Sequence, residues 1–215
     1  MTNNRCYTIS GTELNANGQI TLHGFDRIYI IGSMIRSGGY GTVYSGHRKK
    51  DGMQVAIKRI LKAQVPMVKV FVQDNNKIEN YANEEHAYTN IPLEVYFMRN
   101  TNHISGVIKL IEFYELPDWY YLIMERVGSS VSGCTDFFHF ITNNGPLKEE
   151  LAKKIFKQIV EAVNSCHKSG IFHRDIKDEN ILIDEKHNQI KLIDFGSGDK
   201  YHEGIYTEYS GMYKL

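Results

Sequence analysis

The residue types best suited to chemistry cluster late in the chain, in His173-Arg174-Asp175-Ile176-Lys177-Asp178-Glu179-Asn180 and then Asp194-Phe195-Gly196. Asp175 offers a carboxylate that can take the proton of an attacking hydroxyl. Lys177 can neutralise charge on a group in transit. Asn180 and Asp194 supply hard oxygen ligands of the kind Mg2+ prefers. Together they suit phosphoryl transfer, which needs an oriented nucleophile and a held, neutralised phosphate. Taken singly, each has a plain alternative: Asp-Phe-Gly is a common turn, and His-Arg-Asp can be an ordinary polar loop.

Two upstream features bear on the same chemistry. Gly38-Gly39-Tyr40-Gly41 can bring backbone amides close to phosphate oxygens without side chains in the way. The residues after it, Thr42-Val43-Tyr44, form strands readily. A dinucleotide-binding oxidoreductase would place a helix there, so a glycine-rich β-hairpin is the better reading. Lys58 ends the apolar run Val55-Ala56-Ile57, and a lysine on an inner strand needs an anionic partner. Glu94 is the candidate carboxylate. An edge-strand lysine and a solvated glutamate remain the plain readings of this pair.

The elements that must position these groups fall into two halves. Strands are expected over Phe25–Ile35, Thr42–Ser45 and Gln54–Ile60, with a turn at Asp51-Gly52. Residues 61–90 carry no clear pattern. Pro92 can open a helix over Leu93–Arg99. Val107–Leu116 and Trp119–Glu125 read as a hairpin around Pro117-Asp118, and the small residues of Gly128–Thr135 as a linker. Asp136–Thr142 and Lys148–Lys168 then read as helices, the second stopped by Gly170. Ile181–Ile183 and Ile190–Ile193 are short strands. A strand-rich half thus meets a helix-rich half near residue 127, and a cleft between two such halves is a natural ligand site.

Composition narrows the classes. The 215 residues are 42% hydrophobic and 23% charged, with a net charge of zero. Such a chain is globular and lacks the basic field of a nucleic-acid binder. Cys6, Cys134 and Cys166 form no C-x-x-C pair and, being odd in number, no disulfide framework. No apolar run approaches the ~20 residues of a membrane span, and the polar first residues do not read as a secretory signal. A cytoplasmic or nuclear location is expected.

At this point the sequence resembles a known family, the PIM Ser/Thr protein kinases. The resemblance rests on Ser37-Gly38-Gly39-Tyr40-Gly41-Thr42-Val43-Tyr44-Ser45-Gly46, on Ile91-Pro92-Leu93-Glu94-Val95, on His173 through Asp184, and on Lys191-Leu192-Ile193-Asp194-Phe195-Gly196-Ser197-Gly198. It covers roughly residues 25 to 210. It implies an α+β, bilobal, protein-kinase-like fold, with a flexible extension over 1–24, an N-lobe over 25–126 and a partial C-lobe over 127–215. It implies ATP and Mg2+ as cofactors. Asp175, Lys177 and Lys58 would be catalytic, and Asn180 and Asp194 would hold the metal. Ile35, Arg36, Ser37, Gly38, Gly39, Tyr40 and Gly41 would surround the nucleotide with Lys58 and Glu94. Val43 and Ala56 would roof the adenine, Leu182 and Ile193 would bound it below and behind, and Met124 would close the back, beside Glu125 and Val127. Lys177, two residues after Asp175, points to Ser/Thr rather than Tyr as the acceptor.

Three departures from the family pattern stand out. Arg36 replaces the first glycine of the phosphate loop. Val127 replaces a proline and so restores an amide donor. The pattern stops near Thr207-Glu208-Tyr209-Ser210-Gly211. Protein substrates with basic residues around the acceptor are expected, read by Glu179 and Asp136, with a weaker preference because His139 stands where the family carries an acid. No nucleic-acid or membrane partner is expected. The helix around Leu151–Cys166 is apolar on more than one side through Leu151, Ile155, Phe156, Ile159, Val160 and Val163, so an uncovered face, a partner to cover it and little activity of the chain alone are expected. The competing reading is a catalytically silent nucleotide-binding module.

Overall fold

The computed structural model describes residues 22–39, 41–71, 88–128 and 134–202. Tyr40, most of the expected N-terminal extension, the middle of the expected linker and the segment around Thr207–Gly211 lie outside the described residues.

Helix α1 (Leu22–Ile28) leads into strands β1 (Tyr29–Gly38), β2 (Gly41–Arg48) and β3 (Gln54–Leu61). Strands β4 (Met67–Phe71) and β5 (Tyr88–Pro92) pair with each other ahead of helix α2 (Leu93–Thr101). Strands β6 (Leu110–Glu115) and β7 (Trp119–Glu125) complete an antiparallel sheet of order β1-β2-β3-β7-β6. The second half holds β8 (Cys134–Asp136), α3 (Phe137–Asn144), α4 (Glu149–Lys168), β9 (Ile171–Phe172), β10 (Ile181–Asp184), β11 (Gln189–Leu192) and β12 (Asp199–Lys200).

Three expectations are corrected. Phe25–Ile28 is helical, and the strand begins only at Tyr29. Phe25 of the helix and Tyr29, the first residue of the strand, are buried with Tyr114 and Tyr121 in a separate aromatic core, so packing overrides the strand propensity of Phe25. The patternless stretch 61–90 contains β4 and the start of β5. The expected linker ends in β8, whose Thr135 and Asp136 face Ile183 and Leu182 of β10.

The larger core is continuous across the two halves. It runs from Ile60, Val95 and Phe97 through Leu122 and Met124 to Phe140, Ile155, Ile183, Leu192 and Phe195. Residues 106–108 stitch the halves together: Leu192 N donates to Gly106 O and Ile108 N to Leu192 O. A glycine is required there, because a Cβ on Gly106 would lie 2.8 Å from the Ala162 Cβ of α4. Acidic residues Glu149 and Glu150 open α4, and His167 and Lys168 close it, as the helix dipole favours. Its Ile155, Ala162 and Cys166 are buried, while Phe156 and Val160 are exposed. Of the apolar residues expected to leave a face uncovered, Leu151, Ile159 and Val163 pack partly buried against the core, and Phe156 and Val160 are the two that stand exposed among the described residues.

Candidate active site

The apolar neighbours of Lys58 on β3 place it inside the sheet, and its Nζ reaches two carboxylates at once. It donates to Glu94 Oε1 of α2 at 2.7 Å and to Asp194 Oδ1, just beyond β11, at 2.9 Å. Burial alone pushes the Lys58 ammonium down, but Glu94 and then Asp194 outweigh it, and the net direction is up. Lys58 is therefore a fixed cation. Asp194 is pushed up by burial and pulled down further by Lys58, so it stays a carboxylate below its ordinary range. Glu94 moves up, because burial and the Asp194 charge exceed the pull of Lys58. One proton-bearing group thus ties together the sheet, a helix and the segment after β11.

Asp194 adopts the left-handed region, with φ 68°, a conformation aspartate tolerates better than most residues. Its Oδ1 also accepts from Gly196 N at 3.3 Å, which holds the carboxylate toward Lys58.

The second group lies between β9 and β10. Asn180 Nδ2 donates to Asp175 O at 2.9 Å and to Asp175 Oδ2 at 2.8 Å. Lys177 Nζ stands 3.1 Å from the same Oδ2. Asp175 is thus oriented by a buried amide and paired with a cation. The turn Asp178–Asn180 is a single 3-10 turn, which brings Asn180 back beside Asp175.

His173, quoted in the motif above without a role, holds this loop in place. It is buried, its Nε2 lies 2.9 Å from Ile193 O, and Asp175 N donates to its Nδ1. Those two bonds assign the proton to Nε2 of a neutral ring. Burial moves the imidazole below its ordinary 6.5. His173 also packs edge-on against Phe195, so one ring links the residues flanking Asp194 to the backbone of Asp175. Arg174, at φ 64°, donates to Asp199 Oδ2 at 2.6 Å. No sequence pattern marked Asp199.

The nucleotide-facing residues separate into groups. Val43, Ala56, Val127, Leu182 and Ile193 are half-buried, and Met124 is buried directly opposite Ala56. Gly41, at φ +120°, could not carry a side chain, since a Cβ would lie 2.4 Å from Arg59 O. A Cβ at Gly38 or Gly39 would meet nothing within 4 Å, so the hairpin leaves open space beside its backbone. Ser37 Oγ lies 3.4 Å from Thr42 Oγ1 across that hairpin. Ile35 is half exposed, at 50%. The Glu125 carboxylate points elsewhere: it pairs with Lys191 at 2.8 Å and accepts from Lys109 N. Its main-chain N donates to Lys109 O at 2.9 Å, so neither the side chain nor the amide is left for a ligand.

The donor set fits Mg-ATP. Among the described residues no three or more His, Cys, Asp and Glu side chains are gathered into a metal cage. Mg2+ rarely uses one, taking one or two protein oxygens and the substrate's phosphates instead. Asp194 and Asn180 would hold the metal, with Lys58 against the phosphates and the open backbone of Gly38 and Gly39 above them.

Comparison with known proteins identifies the family of the chain. The protein kinase domain family matches residues 29–214. The chain is 38% identical over 194 residues to the serine/threonine-protein kinase pim-2 of Danio rerio, which covers 87% of this chain and 57% of that protein. It is 30% identical over 198 residues to the serine/threonine-protein kinase prk-2 of Caenorhabditis elegans, covering 92% of this chain and 41% of the relative. A PAS domain-containing serine/threonine-protein kinase of Mus musculus is 35% identical over 180 residues, 84% of this chain and 12% of its own. The chain therefore spans between 12% and 57% of the length of these relatives. It has the α+β architecture of a kinase, and it belongs to the protein kinase domain family.

Proposed function

We propose that this chain carries the nucleotide site and catalytic loop of an ATP-dependent Ser/Thr protein kinase of the PIM type. The observation that carries the reading is Lys58 Nζ bonded at once to Glu94 and Asp194. That arrangement presents a fixed cation and a free carboxylate edge to one point of the cleft. Lys58 would orient the phosphates, and Glu94 holds Lys58. Mg2+ supplies neutralisation of phosphate charge when bound at Asp194 and Asn180. Asp175, oriented by Asn180, takes the proton from the incoming Ser or Thr hydroxyl. Lys177 balances charge at the same oxygen of that carboxylate.

The similarity to pim-2 supports the PIM assignment, and with it a basic sequence around the acceptor. Glu179 and Asp136 would read the basic residues, since arginine pairs well with carboxylates. Asp136 is already engaged: it caps α3 through His139 N, and His139 Nδ1 lies 2.7 Å from its Oδ1. That occupancy favours a weak preference. A partner that covers Phe156 and Val160, and a cytoplasmic or nuclear setting, belong to the same reading. No helix of the described residues is long and apolar enough to cross a membrane.

Calorimetric titration of the chain with ATP and Mg2+ tests the site. Metal-dependent binding that is lost in Lys58→Met is expected, and absence of heat at millimolar nucleotide refutes the reading. A peptide array then tests the sequence context, with enrichment of arginine upstream of the acceptor expected.

A further inference from the structure

Strands β1 and β2 are out of simple register. Met34 faces Tyr44 and Arg36 faces Val43, so β1 uses two residues where β2 uses one. A bulge of this kind re-aims the side chain that follows it. Here it sets Arg36 directly across from Val43, which in turn faces Lys58 on β3. Direct partners on an antiparallel ladder share a face. Arg36, Val43 and Lys58 therefore form one row on the side of the sheet that looks into the cleft.

The two ends of this row are fastened differently. Lys58 is tied to Glu94 and Asp194. Arg36 crosses to the opposite wall, where its Nη1 donates to the main-chain oxygen of Glu179 at 2.7 Å. Glu179 is the middle residue of the turn that carries Asn180, whose amide orients Asp175. Every residue from Ile30 to Gly39 is exposed, so apolar packing does little to hold this outer strand down. A charge-assisted bond to a carbonyl is a directional substitute.

We propose that Arg36 is a positioning residue, a strap that fastens the glycine-rich hairpin onto the catalytic turn and slows the escape of nucleotide held beneath. The proposal rests on the nucleotide site proposed above. It gives a role to the one position where the loop departs from a glycine. A glycine there would leave the hairpin free to lift. Arginine adds a contact that must break each time the cleft opens.

Two measurements on the chain separate the strap from the nucleotide site. The first needs no nucleotide: amide exchange of residues 178–180 in Arg36→Met, which keeps the stem and removes the donors. Faster exchange than wild type is expected, and unchanged exchange overturns the strap whatever the chain binds. The second is stopped-flow displacement of a fluorescent ADP analogue with Mg2+. Release should be about tenfold faster in Arg36→Met, the loss expected for one bond to a charged donor. Arg36→Lys, which keeps a charge and a donor, should recover most of that, and thermal midpoints should not move. Faster exchange with unchanged release overturns the clamp on nucleotide. Failure of the wild-type chain to bind the analogue overturns the nucleotide reading, and the clamp with it, while exchange still reports the strap.

Discussion

Two charged clusters make up the site, and they differ in how the chain builds them and in how far their lysines reach solvent. Lys58, Glu94 and Asp194 come from three distant elements and are nearly dry at the lysine, whose side chain is 7% exposed, with Glu94 at 6%. Asp175, Lys177 and Asn180 come from one short loop, and Lys177 is 28% exposed. The first cluster joins parts of the molecule, so its charges act on architecture as well as on ligand. The second opens to solvent at Lys177, while Asp175 is 13% exposed and rests on the buried Asn180; because all three residues lie in one loop, a change of charge there leaves distant elements joined. The comparison separates groups that a motif list would treat alike.

The sharpest test is Asp175→Asn. The side chain keeps its shape and can still accept from Asn180, but it cannot take a proton. Phosphate transfer to a basic peptide should fall by about 10²–10⁴-fold. Unfolding free energy should change by about 1 kcal/mol or less, because asparagine has the same shape and keeps an acceptor for the buried Asn180 amide. Loss of stability comparable to that of the next variant would erase the distinction between the clusters.

Lys58→Met should act on both fold and ligand. It leaves two carboxylates facing each other without a cation. The full cost of a broken buried pair is reduced because Glu94, already pushed up by burial, can take a proton, and Asp194 is 24% exposed. A loss of about 2 kcal/mol by urea unfolding is expected, together with loss of Mg-nucleotide binding. Adding Glu94→Gln should return part of the stability and none of the binding. Additive losses in the double variant would show that the two side chains do not communicate.

His173 sits between the clusters and gives a pH test. Its folded value lies below its ordinary 6.5 because the ring is buried neutral. The unfolded chain then binds the extra proton as pH falls through 6.5, so stability falls from there down to the depressed folded value. Thermal midpoints should decline between pH 7 and 5, and the decline should be shallower in His173→Phe, which keeps the contact with Phe195. An equal slope in both proteins would assign the pH dependence to other groups.

The same contrast explains what the sequence could disclose. Asp175, Lys177 and Asn180 lie within six residues of one another, so one motif, read together with Asp194-Phe195-Gly196, the glycines and Lys58, suggested that they act together. Glu94 could be nominated only because an apolar-flanked lysine needs a partner. The hairpin of β4 and β5 was missed although Val68 and Val70 alternate with exposed Met67 and Lys69, the period of a half-buried strand. The helix at Phe25–Ile28 was misread because β-branched and aromatic residues suit strands. Its Phe25, however, and Tyr29 at the start of β1 lie four positions apart and meet an aromatic core drawn from β6 and β7. The contact of Arg36 with Glu179 was not legible at all, since it depends on a one-residue slip in pairing.

The smallest expected effect concerns two neighbours on α4. Ile155 is 1% exposed and Phe156 is 67% exposed, although both are large apolar residues one position apart. Helical geometry turns successive side chains by about 100°, so one faces the core shared with β11 while the other faces solvent beside Val160. Ile155→Ala should cost about 2–5 kcal/mol, the range for truncating a packed aliphatic side chain. Phe156→Ser removes more apolar surface but little that is buried, so its effect on unfolding of the chain should stay within about 0.5 kcal/mol. Urea unfolding of the two variants side by side measures the difference. If a partner covers this face, the order of effects reverses in a binding assay: Phe156→Ser weakens the complex while the fold is untouched. A Phe156→Ser variant as unstable as Ile155→Ala would mean that the exposed face of α4 is packed within the chain itself.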